Sequence, residues 1–164
     1  MEALLDRHYD RLYAVCFRLA GNEADAADAC QEALLAIVKG LARFDGRASF
    51  KTWSYRVASN ATLDELRRRQ RRPVPGVQLA EQPDVHTGFD QQISDRVTLG
   101  EALPKLAEEF RVPVVLRDVA GLDYAEIAEA LGIPPGTVRS RIARGRRHLS
   151  QLIGNQVPPS GRQR

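Results

Sequence analysis

Residues 122–149, LDYAEIAEALGIPPGTVRSRIARGRRHL, set a short amphipathic run, a glycine and a longer amphipathic run in direct succession. This spacing constrains the fold more than any other feature of the chain. A short helix, a glycine turn and a second helix are the helix-turn-helix layout. Asp123 is placed to cap a helix over Tyr124–Leu131, Gly132 breaks it, and a last helix is expected from about Pro135 to Ile153. Ala125, Ile127, Ala128 and Leu131 are expected to form the inward face of the first helix, and Ile133, Val138 and Ile142 to continue the core. Thr137, Arg139, Ser140, Arg141, Arg144 and Arg147 are then left to face outward. Guanidinium groups on an exposed helix suit phosphates, and side chains at its front can reach base edges in a major groove. An arginine-rich helix alone would read as a solvated face of a bundle. The preceding helix, Gly132 and the core spacing together favour a DNA-binding element.

The rest of the chain also follows the helical period. Leu4, Leu5, Leu12, Val15, Cys16 and Leu19 predict a first helix, stopped by Gly21 and Asn22. Asn22 can cap a second helix reaching about Leu41, with Ala26, Cys30, Leu34, Ile37, Val38 and Leu41 on its apolar side. Residues 44–48 interrupt the period at Gly46, and Ser49 can cap a third helix from Phe50 to about Arg71, with Phe50, Trp53, Val57, Ala61 and Leu66 as its apolar stripe. Pro73, Pro75, Gly76, Pro83 and Gly88 mark a linker. Helical patterning resumes near Ser94 and runs to Leu106, and another helix is expected from about Phe110 to Val119 with Pro113 in its first turn. The fold expected is all-α: a domain over 1–72, a flexible linker over 73–93, a helix-turn-helix domain over 94–153 and a disordered tail over 154–164. Two small domains joined in this way need not hold one relative arrangement.

Charge is polarised within this plan. The net charge is only +3, yet residues 135–148 hold five arginines and no acid, whereas residues 94–134 hold four basic against eight acidic residues. That asymmetry points one face at a polyanion. A second basic cluster, Arg67, Arg68, Arg69, Arg71 and Arg72, ends the third helix. The helix dipole would explain one or two cations there, not five. Trp53, Tyr55, Arg56 and Asn60 lie upstream, and interleaved aromatic, basic and amide groups suit a platform for single-stranded nucleic acid. Trp53 read by itself is equally a core residue.

Other classes find little support. Cys16 and Cys30 stand outside any CxxC spacing and His8, His86 and His148 are scattered, so no metal site or cofactor is expected and the cysteines read as partly buried structural residues. Acids such as Asp25, Asp28 and Glu32 have no phosphate loop or nucleophile–base pair beside them, so neither an enzyme nor a small-molecule substrate is expected. No apolar run reaches the roughly 20 residues of a membrane span and the N-terminus lacks a secretion core, so the expected location is cytoplasmic. The competing reading is a regulator that binds duplex DNA without polymerase, as a dimer on half-sites. It accounts for residues 122–149 but not for the arginine cluster or the Trp53–Asn60 helix.

From Leu4 to Ile153 the chain resembles the extracytoplasmic-function (ECF) sigma factors of the sigma-70 family. EADAADACQEALLAIVKGLARFDGRASFKTWSYRVASNATLDELRRRQRR resembles region 2, and VVLRDVAGLDYAEIAEALGIPPGTVRSRIARGRRHL resembles region 4. The resemblance implies a transcription initiation factor that binds core RNA polymerase and directs promoter recognition and opening. It implies that Asp25, Asp28, Gln31, Glu32 and Leu35 meet the polymerase clamp helices. It implies that the loop from Phe44 to Ser49 receives a flipped base of the −10 element, and that Trp53, Arg56 and Asn60, with Arg67 and Arg68 beyond them, handle that element and its strands. Arg139, Ser140, Ala143 and Arg144 match positions facing the −35 element. It also implies an anti-sigma factor as a partner.

Overall fold

The computed structural model describes residues 2–71 and 99–154, with side chains from residue 5 onward. Every regular element among them is helical: α1 (Glu2–Ala20), α2 (Glu23–Leu41), α3 (Phe50–Arg71), a turn of helix at 99–102 running into a 3₁₀ turn (Leu103–Lys105), α4 (Glu108–Asp118), α5 (Tyr124–Leu131) and α6 (Pro135–Gly154). The expected linker at 73–93 and Arg72 lie outside the described residues, as do residues 155–164 of the expected tail. Gly154 belongs to α6 rather than to that tail.

Local chemistry sets the boundaries. Gly21 takes φ +84°, which closes α1. The Asn22 side chain accepts from the Asp25 amide at 2.9 Å and opens α2. Ser49 does the same for α3, its hydroxyl accepting from the Thr52 amide at 3.0 Å. Leu12, Val15, Cys16 and Leu19 of α1 are fully buried against Ala26, Ala29, Ala33 and Ile37 of α2, where alanines let the helices approach closely. Cys16 and Cys30 are free and fully rather than partly buried, and their thiols face each other. The hydrogen bond with Cys16, together with burial, holds the Cys30 thiol protonated.

Several sequence-based expectations shift. The most buried face of α3 is not the Phe50, Trp53, Val57, Ala61 and Leu66 stripe, which is only half-buried. Thr52, Ser54, Tyr55, Ala58, Ser59, Thr62 and Leu63 go inside instead. Hydroxyls can be buried cheaply on a helix because they bond backbone carbonyls one turn back, as Thr62 does to Ala58 at 2.8 Å. Hydropathy therefore misplaces this face. Val38 of α2 is 42% exposed although it continues that helix's apolar period. The helix expected from Ser94 to Leu106 gives way at Leu103 to the 3₁₀ turn that holds Pro104, and its first residues, 94–98, lie outside the described residues. Pro113 sits in the second turn of α4, because the helix begins at Glu108, where two glutamates complement its positive end. On α5, Ala125 is exposed and Ala130 takes its place inside.

The two halves touch. Thr52 donates to Glu126 Oε1 at 3.1 Å, Lys51 to the Gly121 carbonyl at 3.1 Å, and Arg67 pairs with Glu108. Gly21 packs so tightly on Pro104 that a Cβ there would fall 2.2 Å from the proline ring. The described residues thus take one packed arrangement, where the sequence suggested none was required.

Candidate nucleic-acid interface

The helix-turn-helix is built from α5 and α6. A capping box fixes the start of α5: the Glu126 amide donates to Asp123 and the Asp123 amide to Glu126, both at 2.8 Å. Gly132 ends the helix at φ +64°, a conformation that penalises a Cβ. Val138, Ile142, Gly145 and Leu149 form the buried line of α6. Gly145 is there for contact: a Cβ would lie 2.8 Å from Val114 and 3.2 Å from the Phe110 carbonyl, so α4 and α6 cross backbone against side chain.

The buried line fixes what faces away. Ser140, Ala143, Arg144 and Arg147 are exposed on the opposite side, and among the described residues no ion pair holds Arg144 or Arg147. The other predicted residues are engaged. Arg141 is half-buried and pairs with Glu109 of α4 at 3.6 Å. Thr137 is half-buried, and its carbonyl accepts from the Ser140 hydroxyl at 3.0 Å. Arg139 lies over the Tyr124 ring, 5.7 Å from its centroid. Arg146, which is not among the expected DNA-facing residues, donates to Asp118 at 3.2 Å.

The predicted surface of the first half centres on three aromatic rings. Phe44 lies 5.1 Å from Trp53, Phe50 lies 5.8 Å from Trp53, and Phe44 meets Phe50 edge-on at 6.1 Å. Trp53 is half-buried, so it is neither simple core nor a free platform, and its indole rests on Gly40 of α2. Arg56 is half-buried and Asn60 exposed along the same helix. Three of the arginines beyond them are paired within the chain, whereas Arg71 is exposed with no ion pair among the described residues. Arg67 pairs with Asp64 and Glu108, Arg68 with Glu65, and Arg69 with Asp25, Asp28 and Glu65. Glu65 is 7% exposed, and its bond from Arg69 holds its carboxyl below the usual range.

Asp25 and Asp28 are therefore occupied by Arg69, whereas Gln31, Glu32 and Leu35 remain exposed on α2 beside Val38. Asn60 and Arg67 line a cleft of about 370 Å³ together with Glu108, Glu109 and Arg141. Residues expected at two separate DNA elements thus share one cleft. The counter-ions Glu108, Glu109 and Asp118 escaped the sequence reading, because their partners are distant in the chain. Among the described residues no helix is long and apolar enough to cross a membrane, and no group of His, Cys, Asp or Glu is placed to hold a metal ion.

Residues 4–72 match the Sigma-70 region 2 family model and residues 96–149 match that of Sigma-70, region 4. The chain is 32% identical over 163 residues to the ECF RNA polymerase sigma factor SigW of Bacillus subtilis, covering 92% of this chain and 87% of SigW. The chain belongs to the ECF RNA polymerase sigma factors.

Another relative of this sigma factor is the ECF RNA polymerase sigma factor SigE of Mycolicibacterium smegmatis, 39% identical over 159 residues. That match takes in 93% of this chain but only 61% of the relative's length. Two solved structures share its fold. One is the sigma factor RpoE from Bartonella quintana, co-crystallised with the anti-sigma factor NepR, with a TM-score of 0.72, 22% identity, and coverage of 95% of this chain and 98% of that one. The other is CnrH in complex with the cytosolic domain of CnrY, with a TM-score of 0.71, 24% identity, and coverage of 95% and 88%. Membership of this family favours the initiation-factor reading over the polymerase-independent regulator. The relatives compared are sigma factors, and none is named as an enzyme.

Proposed function

We propose that this chain acts in the cytoplasm as a non-enzymatic initiation factor, binding core RNA polymerase and reading promoter DNA through two surfaces. The observation that carries this reading is the exposed line Ser140, Ala143, Arg144 and Arg147 on a helix whose opposite side is locked into a core. That line meets the −35 element, with Arg144 and Ser140 at base edges, the Ala143 methyl available to a thymine methyl, and Arg147 on phosphate. Thr137, Arg139 and Arg141 flank it. Phe44, Trp53, Arg56 and Asn60 handle the −10 element, where stacking on the aromatic cluster helps offset the few kcal/mol of base extrusion. Arg67 and Arg68 serve the phosphates once their carboxylate partners are exchanged. The α2 surface of Gln31, Glu32 and Leu35, bordered by Asp25 and Asp28, docks on polymerase.

The two DNA surfaces cannot both engage one promoter while the halves are packed, with Asn60, Arg67 and Arg141 sharing one cleft. By their names the −10 and −35 elements lie about 25 base pairs apart, roughly 85 Å at ~3.4 Å per pair, whereas the 20 residues of α6 span only about 30 Å. The halves must part when polymerase seats them. An anti-sigma factor would act by stabilising the packed arrangement and covering the same surfaces, in keeping with the partners in the two structural relatives.

Run-off transcription with core polymerase on a randomised promoter library tests the whole reading. Enrichment of one two-part promoter, and no transcription without the chain, is the expected result. Tight binding of the free chain to a palindromic duplex, with no polymerase-dependent transcripts, would return the regulator reading.

A further inference from the structure

Tyr124 opens α5 immediately after the capping aspartate and is half-buried, packed against the core on one side. Two guanidinium groups from other elements lie against its ring: Arg117 of α4 at 5.1 Å from the centroid and Arg139 of α6 at 5.7 Å. Arg117 is anchored, its Nη1 donating to the Leu122 carbonyl at 2.8 Å. Arg146, one turn beyond Ile142 on α6, is tied to Asp118 on the same flank. Arg139 is exposed, and no acidic residue pairs with it among the described residues. The tyrosine ring is thus what its guanidinium rests against.

We propose that Tyr124 is a positioning residue for DNA recognition: its ring holds the Arg139 guanidinium in the orientation in which it meets the −35 duplex. The physical case rests on entropy and direction. A free arginine side chain loses rotamer freedom when it is fixed on a ligand. A ring within 6 Å attracts the cation and takes part of that ordering before DNA arrives. The attraction is to the ring face, so it does not compete for the N–H donors that a phosphate or a guanine edge would use. An acidic partner in the same place would consume those donors, as Glu109 does for Arg141 and Asp118 for Arg146. Tyr124 is itself held on both ends. The Asp123–Glu126 box fixes its backbone, and Gly132 and the α5 core fix the helix that carries it. The element that orients Arg139 is therefore part of the rigid scaffold rather than another mobile side chain.

This inference rests on the assignment of α6 to the −35 element, and its test separates the two. Full-length chain assembled with core polymerase would be titrated onto the −35/−10 promoter enriched from the randomised library, with Tyr124→Phe, Tyr124→Leu, Arg139→Ala and the two Tyr124 changes in the Arg139→Ala background. A contact of this kind at an exposed site is worth about 0.5–1 kcal/mol, or roughly two- to fivefold in affinity. Tyr124→Leu should weaken binding by about that factor, Tyr124→Phe should keep near-native affinity because it keeps the ring, and neither should add to the loss in the Arg139→Ala background. Melting of each free variant followed by circular dichroism identifies any that is simply unfolded, and Tyr124→Phe then carries the test. An equal loss in Tyr124→Phe, or an undiminished loss from Tyr124→Leu when Arg139 is already alanine, would overturn the proposal and leave the −35 assignment standing. No effect of Arg139→Ala itself would overturn both for this residue.

Discussion

The arginines that end α3 and those that line α6 look alike in the sequence, and the structure separates them. Arg67, Arg68 and Arg69 meet carboxylates from α2, α3 and α4, so that stretch is close to neutral in the packed arrangement. On α6 the acidic partners, Glu109 and Asp118, take only the flanking Arg141 and Arg146 and leave the outermost line to Arg144 and Arg147. The difference is one of position rather than composition. α3 ends beside the acidic start of α2, whereas the far side of α6 has no neighbouring element among the described residues. A count of arginines measures potential charge. The charge offered to a ligand depends on which acids the fold brings near.

The largest test of this contrast is Trp53→Ala in the first half. Removing a half-buried indole that rests on Gly40 and touches Phe44 and Phe50 should cost about 3 kcal/mol, the low end for large aromatic truncations. Thermal melting gives the stability loss, and permanganate footprinting on a variant kept below its melting point reports opening. Opening should fall more than recruitment. A pre-melted template that restores no activity would count against a role in strand separation.

Next in size is a paired comparison of Arg69→Ala and Arg144→Ala. Losing Arg69 leaves Asp25, Asp28 and the buried Glu65 short of a counter-ion, so the melting temperature should drop, with a cost of about 1–3 kcal/mol. Losing Arg144 should leave melting unchanged and weaken promoter binding by about 1–3 kcal/mol, most on the preferred −35 sequence. A uniform loss across −35 sequences would make Arg144 a phosphate contact, and unchanged melting in Arg69→Ala would remove the contrast between the clusters.

The two halves also differ in how far the sequence alone reveals them. The helix-turn-helix was legible because its signals are local: Asp123 caps, Gly132 turns, and Val138 and Ile142 repeat at helical spacing. Ala125 for Ala130 reflects the ambiguity of alanine, which hydropathy places on either face, and Thr137 and Arg141, expected outward, are half-buried. α3 was legible in its ends but not in its rotation, because its buried face is built from Thr52, Ser54, Ser59 and Thr62. No hydropathy scale marks such buried hydroxyls: Ser54 and Thr62 bond carbonyls of their own helix, Thr52 reaches Ser49 and Glu126, and Ser59 has no partner among the described residues. The pairing of Arg67 with Glu108 lay beyond any local pattern, since 41 residues separate them. The Tyr124–Arg139 contact was out of reach for the same reason, although both residues sit in the segment that was read best.

A smaller effect follows from Glu65. Its folded-state carboxyl is held below the ordinary value near 4.5, first by the hydrogen bond from Arg69. A depressed acid contributes stability that is present above that ordinary value and is lost as pH falls through the lower folded value. Stability of the chain should therefore decline below about pH 4.5, and Glu65→Gln should flatten part of that decline while costing about 1 kcal/mol at neutral pH. Urea melts between pH 3 and 7 would read both. A parallel decline in both proteins would assign the acid limb to other carboxylates.

The last test concerns the seam between the halves, where the contrast can be broken outright. If the packed arrangement neutralises α3, loosening the seam should release charge there and leave α6 as it is. Thr52→Val removes the hydroxyl that reaches Glu126 while keeping its volume, and Glu126 stays satisfied by the Asp123 amide. Lys51→Ala removes the bond to the Gly121 carbonyl. Each bond contributes about 0.5–1.5 kcal/mol, so the pair should shift the packed-to-open ratio by roughly five- to 150-fold. Dyes on exposed sites of α2 and α6 would follow separation by energy transfer, and NMR relaxation would show whether the halves tumble together. The free wild-type chain should tumble as one body and the double variant partly as two. Arg67 then exchanges Glu108 for solvent, and non-specific single-stranded DNA should bind the double variant more tightly at low salt, with a steeper salt dependence than wild type. Binding of a −35 duplex through Arg144 and Arg147 should change little, because those side chains already face away from the seam. A wild-type chain whose halves tumble independently would show that the arginines of α3 lose their region 4 partner in solution without help, and the two clusters would then differ only in their local acids.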